Sequence, residues 1–146
     1  MMPLQGTKPQ PELLAPLQRR LGGRLYVDVE LCPVGDGQSW TRQGLHLDAV
    51  VLPAHQRPGV VAWHDQADEF AVAVVDQPVV VAATRVAANR PLLGLLLGGA
   101  DLLSRAHPRH GLLRHAAAVE RAEANIAWLF ERRGIELLRF PAGAGK

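Results

Sequence analysis

A carboxylate stands in the middle of an apolar run. Asp48 lies within Gly44-Leu45-His46-Leu47-Asp48-Ala49-Val50-Val51-Leu52-Pro53, which otherwise reads as a buried strand. Aspartate is disfavoured in strands, and a carboxylate among apolar neighbours is costly unless it is paired, hydrogen-bonded or bound to a metal. In an extended strand His46 shares its face, and Asp28 and Glu30 lie on the alternating segment before it. If the two segments pair as a hairpin, Asp28 or Glu30 comes near Asp48. Clustered carboxylates bind Mg²⁺ or Mn²⁺ and can activate water for phosphodiester hydrolysis. The competing reading puts Asp28 and Glu30 on a solvated face and makes Asp48 a structural polar residue satisfied by a hydrogen bond or ion pair.

Other residue types with chemical potential are spread more thinly. His107, His110 and His115 have a spacing that metal ligands can use. Pro108 and Gly111 place the first two in a loop, and no thiol or carboxylate joins them in sequence. With Arg105, Arg109 and Arg114 they are expected to form a cationic patch able to contact phosphate, which carries no sequence information by itself. Cys32 is the one cysteine. No base lies near it, so a structural thiol is expected, and neither an intrachain disulfide nor a cysteine zinc cluster can form. Ser39 and Ser104 lack a nucleophile-elbow or triad context, and no phosphate-binding glycine loop is present.

The elements that must position these groups follow from periodicity. Leu13, Leu14, Leu17 and Leu21 fall on one helical face over 11–21, with Pro16 in or near the first turn and Gly22-Gly23 ending the helix. Residues 25–32 alternate, with Leu25, Val27, Val29 and Leu31 expected on one face. A turn at 33–37 leads to a second strand, 45–52, where Leu45, Leu47, Ala49 and Val51 share a face opposite His46, Asp48, Val50 and Leu52. Apolar pieces at 60–63 and 70–75 flank a polar run, 64–69, that reads as a turn. Residues 79–84 carry no charge and predict a central strand. Asn89-Arg90-Pro91 starts a helix reaching about Ala106. It is apolar nearly all round, which predicts burial on more than one side, and Gly94 and Gly98 would allow close backbone approach. Residues 112–133 are either one long helix or a strand, 112–119, followed by a helix, 120–133. Gly134 is the C-cap in both cases, and 135–140 is a last strand.

Composition bounds the rest. A chain of 146 residues is expected to form one domain, 11–141, between tails at 1–10 and 142–146. The net charge of +2 is too weak to argue nucleic-acid binding. Arginine outnumbers lysine 14 to 2, which with abundant Ala, Leu, Val and Gly fits a GC-rich genome. The opening residues lack the apolar run of a secretion signal, and the most apolar stretch, 91–100, is about half a membrane span. A soluble cytoplasmic protein is expected, with no membrane partner.

Taken in order, these elements resemble the restriction-endonuclease-like fold of the PD-(D/E)XK nuclease superfamily. The resemblance implies an α/β domain with a mixed central sheet flanked by helices. It also implies a metal-binding Asp on the second strand, a Glu/Asp-x-Lys on the third, and a helix behind the sheet. Asp48 matches the Asp. Val79-Val80-Val81-Ala82-Ala83-Thr84-Arg85-Val86 matches the third strand, with Val80 and Ala82 where the carboxylate and lysine are expected. No Asp, Glu or Lys lies between Gln77 and Ala100, so sliding the register restores nothing. Arg85 and Arg90 are the nearest cations, and Arg is a poor replacement for a compact ammonium beside a nucleophilic water. Under this resemblance Asp76, Glu30, Asp28 and Glu12 are the carboxylates that would have to join Asp48 around Mg²⁺. Without them the chain is expected to be a degenerate, non-catalytic relative that binds nucleic acid or protein, with a homodimer as one form of assembly.

Overall fold

A computed structural model describes residues 8–31 and 45–141. Cys32, Ser39, Trp40, the turn at 33–37 and the tail at 142–146 lie outside the described residues. Among those described, six strands form one mixed sheet: β1 (Arg24–Leu31), β2 (Leu45–Leu52), β3 (Gly59–Ala62), β4 (Val79–Ala87), β5 (Leu113–Arg121) and β6 (Ile135–Arg139). Their order is β3-β1-β2-β4-β5-β6. Only β2 runs against its neighbours, pairing antiparallel with both β1 and β4. The β1–β3, β4–β5 and β5–β6 pairs are parallel.

Helices cover both faces. On one side lies α1 (Leu14–Leu21), entered through a 3₁₀ turn at Pro11–Leu13. Its Leu17, with Leu13, packs on Leu25, Ala49, Val51, Val80, Ala82, Ala116 and Ala118. On the other side lie α2 (Trp63–Ala73), α3 (Arg90–Ala106) and α4 (Ala124–Arg132). Phe70, Leu92, Leu96, Leu103 and Phe130 from these helices share a core with Tyr26, Val50, Val81, Ala83, Ala117 and Val119. The central strand β4 is buried on both faces, as its uncharged sequence requires. No helix among the described residues is long and apolar enough to cross a membrane.

Local chemistry explains the element ends. Gly22 and Gly23 close α1 at φ +77° and +72°, and a Cβ on Gly23 would lie 2.0 Å from the Leu52 carbonyl oxygen, so only glycine fits. The Asn89 side chain caps α3 by accepting from the Leu92 N–H at 2.8 Å, with Pro91 in the first turn.

Four sequence readings are settled: three are corrected, and the open choice over 112–133 falls to a strand and a helix. The polar run 64–69 is not a turn but part of α2, which is kinked at Gln66. Trp63, Phe70 and Val74 recur on its inner side while His64 and Asp65 face solvent. α3 buries one side only, through Leu92, Leu96, Gly99, Ala100 and Leu103. Its close approach is made by Gly99, where a Cβ would meet the Leu47 side chain at 2.6 Å; Gly94 and Gly98 face open space. The alanine-rich stretch divides into β5 and α4, because Ala116, Ala117 and Ala118 fill a fully buried strand between β4 and β6 that tertiary packing favours over helix propensity.

The fourth concerns alternation in β1 and β2. Leu25 and Val27 pack on the α1 side and Tyr26 on the other, but Val29 and Leu31 then join Tyr26. In β2, Ala49 and Val51 face α1, whereas Leu47 joins Val50 and Leu52 on the opposite side. Each strand therefore has one residue that breaks the two-residue period. Those residues are Asp28 and Asp48. Val27 pairs with Ala49 and Val29 with Leu47, so the two aspartates stand opposite each other. Asp28 takes the left-handed backbone, φ +55°, a conformation that Asp tolerates better than most residues.

Candidate functional site

Asp48 finds its partner on β4. The register sets Ala49 opposite Ala82, so the stretch beside Asp48 is Ala83-Thr84-Arg85 and not Val80 and Ala82. Its Oδ2 accepts from the Arg85 Nη1 at 2.5 Å and from the Thr84 backbone N–H at 2.7 Å. The Thr84 hydroxyl lies 3.4 Å away. Arg85 Nη1 also donates to the Thr84 carbonyl at 2.6 Å. The Thr84 hydroxyl accepts from the Gln10 N–H at 2.8 Å, which ties the segment ahead of α1 to the sheet from residue 10 onward. The Asp48 and Arg85 side chains are each about 10% exposed. The carboxylate that the strand pattern left uncompensated is thus held in a mostly buried ion pair with charge-assisted hydrogen bonds.

A cleft of about 240 Å³ opens on this place from the α1 side, lined by Pro9, Pro11, Leu14, Val27, Asp28, Asp48 and Thr84. Asp28 and Asp48 are the two carboxylates in its wall. They do not suit a hard divalent cation, which needs several oxygen ligands. Asp48 Oδ2 is already taken by a guanidinium, and a metal there would sit against that positive charge.

The remaining sequence candidates are placed apart. Glu30 is exposed on β1 opposite His46, two residues beyond Asp28. Asp76 precedes β4, whereas Asp48 stands opposite the middle of that strand and bonds to Thr84; the steps from Val79 to Thr84 alone span about 17 Å. Asp76 is therefore too distant to share an ion with Asp48. Its N–H donates to the Arg109 carbonyl at 2.8 Å. Arg105, Arg109 and Arg114 are exposed at this same end, around the exit of α3 and the start of β5. These three arginines thus stand toward the Val79 end of β4, away from Thr84.

The histidines also serve separate environments. His107 packs edge-on against Phe70, with ring centroids 5.1 Å apart. Burial, and then the nearby His110, push its pKa down. His110 bridges Ser104 Oγ at 2.8 Å and the Gly111 carbonyl at 2.6 Å. His115 is pulled down by burial, with Asp101 opposing. Among the described residues no group of three or more His, Cys, Asp or Glu is arranged to hold a metal ion.

One polar cluster has no counterpart in the sequence reading. Glu69 on α2 accepts from the Tyr26 hydroxyl at 2.7 Å, contacts His55 Nε2 at 3.0 Å and lies 3.3 Å from Arg24 Nε. The Arg57 N–H donates to His55 Nδ1 at 2.9 Å, so Nε2 carries the proton and donates to Glu69. Both imidazole nitrogens are engaged, which suits a brace between the 53–58 loop and α2 better than a general base. Burial of Glu69 opposes its ionisation, but the hydrogen bonds from Tyr26 and His55 and the charge of Arg24 outweigh it and hold the carboxyl below its ordinary range. Burial first, then Glu69, raises the Tyr26 hydroxyl well above its ordinary value. Two signals pointed here: a tyrosine within the alternation of β1, and the Trp63, Phe70 and Val74 spacing that makes 63–73 a helix.

No family model matches the chain, and neither does any curated protein or any solved structure.

Proposed function

We propose that this chain is a non-catalytic α/β domain of restriction-endonuclease-like architecture that works as a binding or assembly module. One observation carries the reading: the carboxylate that would serve as metal ligand in a nuclease is neutralised by Arg85 and hydrogen-bonded by Thr84. The sheet supports the architectural half. An Asp-bearing second strand lies between β1 and β4, and a helix follows β4 and packs on the sheet. The β4 stretch beside Asp48 has no carboxylate and no lysine. Arg85 supplies charge to Asp48 but no proton-transfer group at pH 7.

The second reading, an active Mg²⁺-dependent nuclease with Asp48 as ligand, draws on Asp28 standing opposite Asp48 at the cleft, and on Glu12 in the 3₁₀ turn whose Pro11 lines it. The test is incubation of the purified protein with plasmid and single-stranded DNA in Mg²⁺ or Mn²⁺. The module reading expects both substrates to stay intact. Cleavage that disappears in Asp48→Ala would overturn it.

A further inference from the structure

Toward the Val79 end of β4, the last turn of α2 forms a ridge between two clefts. One, of about 360 Å³, is lined by Leu52, Ala54, His55, Arg57, Val72 and Val75 among others. The other, of about 210 Å³, is lined by Ala71, Val74, Val75, His107, Pro108 and Arg109 among others. Val75 belongs to both walls. Val72, in the wall of the first cleft, has 78% of its surface exposed. An open apolar side chain at the edge of a preformed cleft extends its apolar wall into one contact surface.

The charges around the ridge indicate what fits. Arg57 is exposed in the wall of the first cleft and Arg109 in that of the second. Neither wall includes a carboxylate; the exposed carboxylates nearest the ridge in sequence are Asp76, after Val75, and Asp68, one turn before Val72. We infer that this surface docks a short acidic peptide segment of a partner protein, with apolar side chains entering the clefts on either side of Val75, one of them against Val72, and carboxylates facing Arg57 and Arg109. A nucleic-acid backbone would satisfy the arginines but leave Val72 and the apolar cleft walls without an apolar counterpart. The inference rests on the binding-module reading and names its partner; its readout is independent of DNA cleavage, so the two fail separately.

The test is selection of a random peptide display library on the full chain, followed by fluorescence anisotropy with an enriched peptide. The expected peptides carry Asp or Glu flanking Leu, Ile, Phe or Met. Val72→Asp should weaken binding about tenfold, by loss of apolar burial and gain of like charge. Asp76→Asn should tighten it about threefold, since Asn also tolerates the φ of +59° found there. Both positions are exposed, and a thermal melt of each variant checks that the fold is retained. No enrichment, enriched peptides that are not acidic, unchanged affinity in a folded Val72→Asp, or displacement of the enriched peptide by equimolar random duplex DNA would each overturn the inference.

Discussion

Replacing Arg85 by Ala leaves the Asp48 carboxylate with the Thr84 N–H as its main donor, in a place where both side chains of the former pair were about 10% exposed. Breaking a buried ion pair from one side costs about 3–5 kcal/mol, because the remaining charge is stranded. The adjoining cleft admits water to Asp48, so the low end, about 3 kcal/mol, is expected. Asp48→Asn keeps the shape and removes the charge, but strands Arg85. The double variant Arg85→Ala with Asp48→Asn removes both charges and should recover much of the loss. Urea unfolding of the wild type, the two single variants and the double variant closes a cycle whose coupling should reach about 2 kcal/mol. Circular dichroism at zero urea establishes that each variant starts folded. If Arg85→Ala costs less than about 1 kcal/mol, or the single effects simply add, the claim that Arg85 compensates Asp48 is wrong.

Four further outcomes follow from the geometry. A raised pKa, as at Tyr26, contributes stability below its ordinary value of 10.0 that is lost as pH rises beyond it, so Tyr26→Phe should flatten the alkaline limb of a pH–stability profile. A lowered pKa, as at Glu69, contributes stability above its ordinary value of 4.5 that is lost as pH falls through the folded value, so Glu69→Gln should flatten the acid limb, read by the same unfolding assay. Gly23→Ala forces a Cβ to 2.0 Å from the Leu52 carbonyl oxygen at a positive φ, and soluble expression should fall sharply, with a loss of more than about 3 kcal/mol if any protein folds. At Asp28, with φ +55°, Gly should be tolerated while Val should cost about 1–2 kcal/mol in chemical unfolding.

Much of the fold was legible because local signals agreed with burial. The uncharged run of β4, the Asn89 cap and the Gly22-Gly23 stop each act through their immediate neighbours. Features set by distant partners were not legible. Residues 116–119 form a strand only because β4 and β6 flank them, and Gly99 is needed only because Leu47 lies beneath it. The faces of β1 and β2 could not be read by counting in twos, since Asp28 and Asp48 interrupt both strands at one place. At the candidate site, sequence identified the carboxylate that needed a partner, and named Arg85 as a nearby cation, without fixing the register that joins them. Asp76 looked available to Asp48 only because sequence does not say how far along β4 the two stand apart.

Whether Asp48 answers to Arg85 or to a metal ion is read by calorimetric titration of Mn²⁺ into the intact protein, with Asp48→Asn alongside. Pairing with Arg85 predicts the same weak, non-saturating heats for both proteins. Saturable binding of about one ion per chain that vanishes in Asp48→Asn would contradict that pairing.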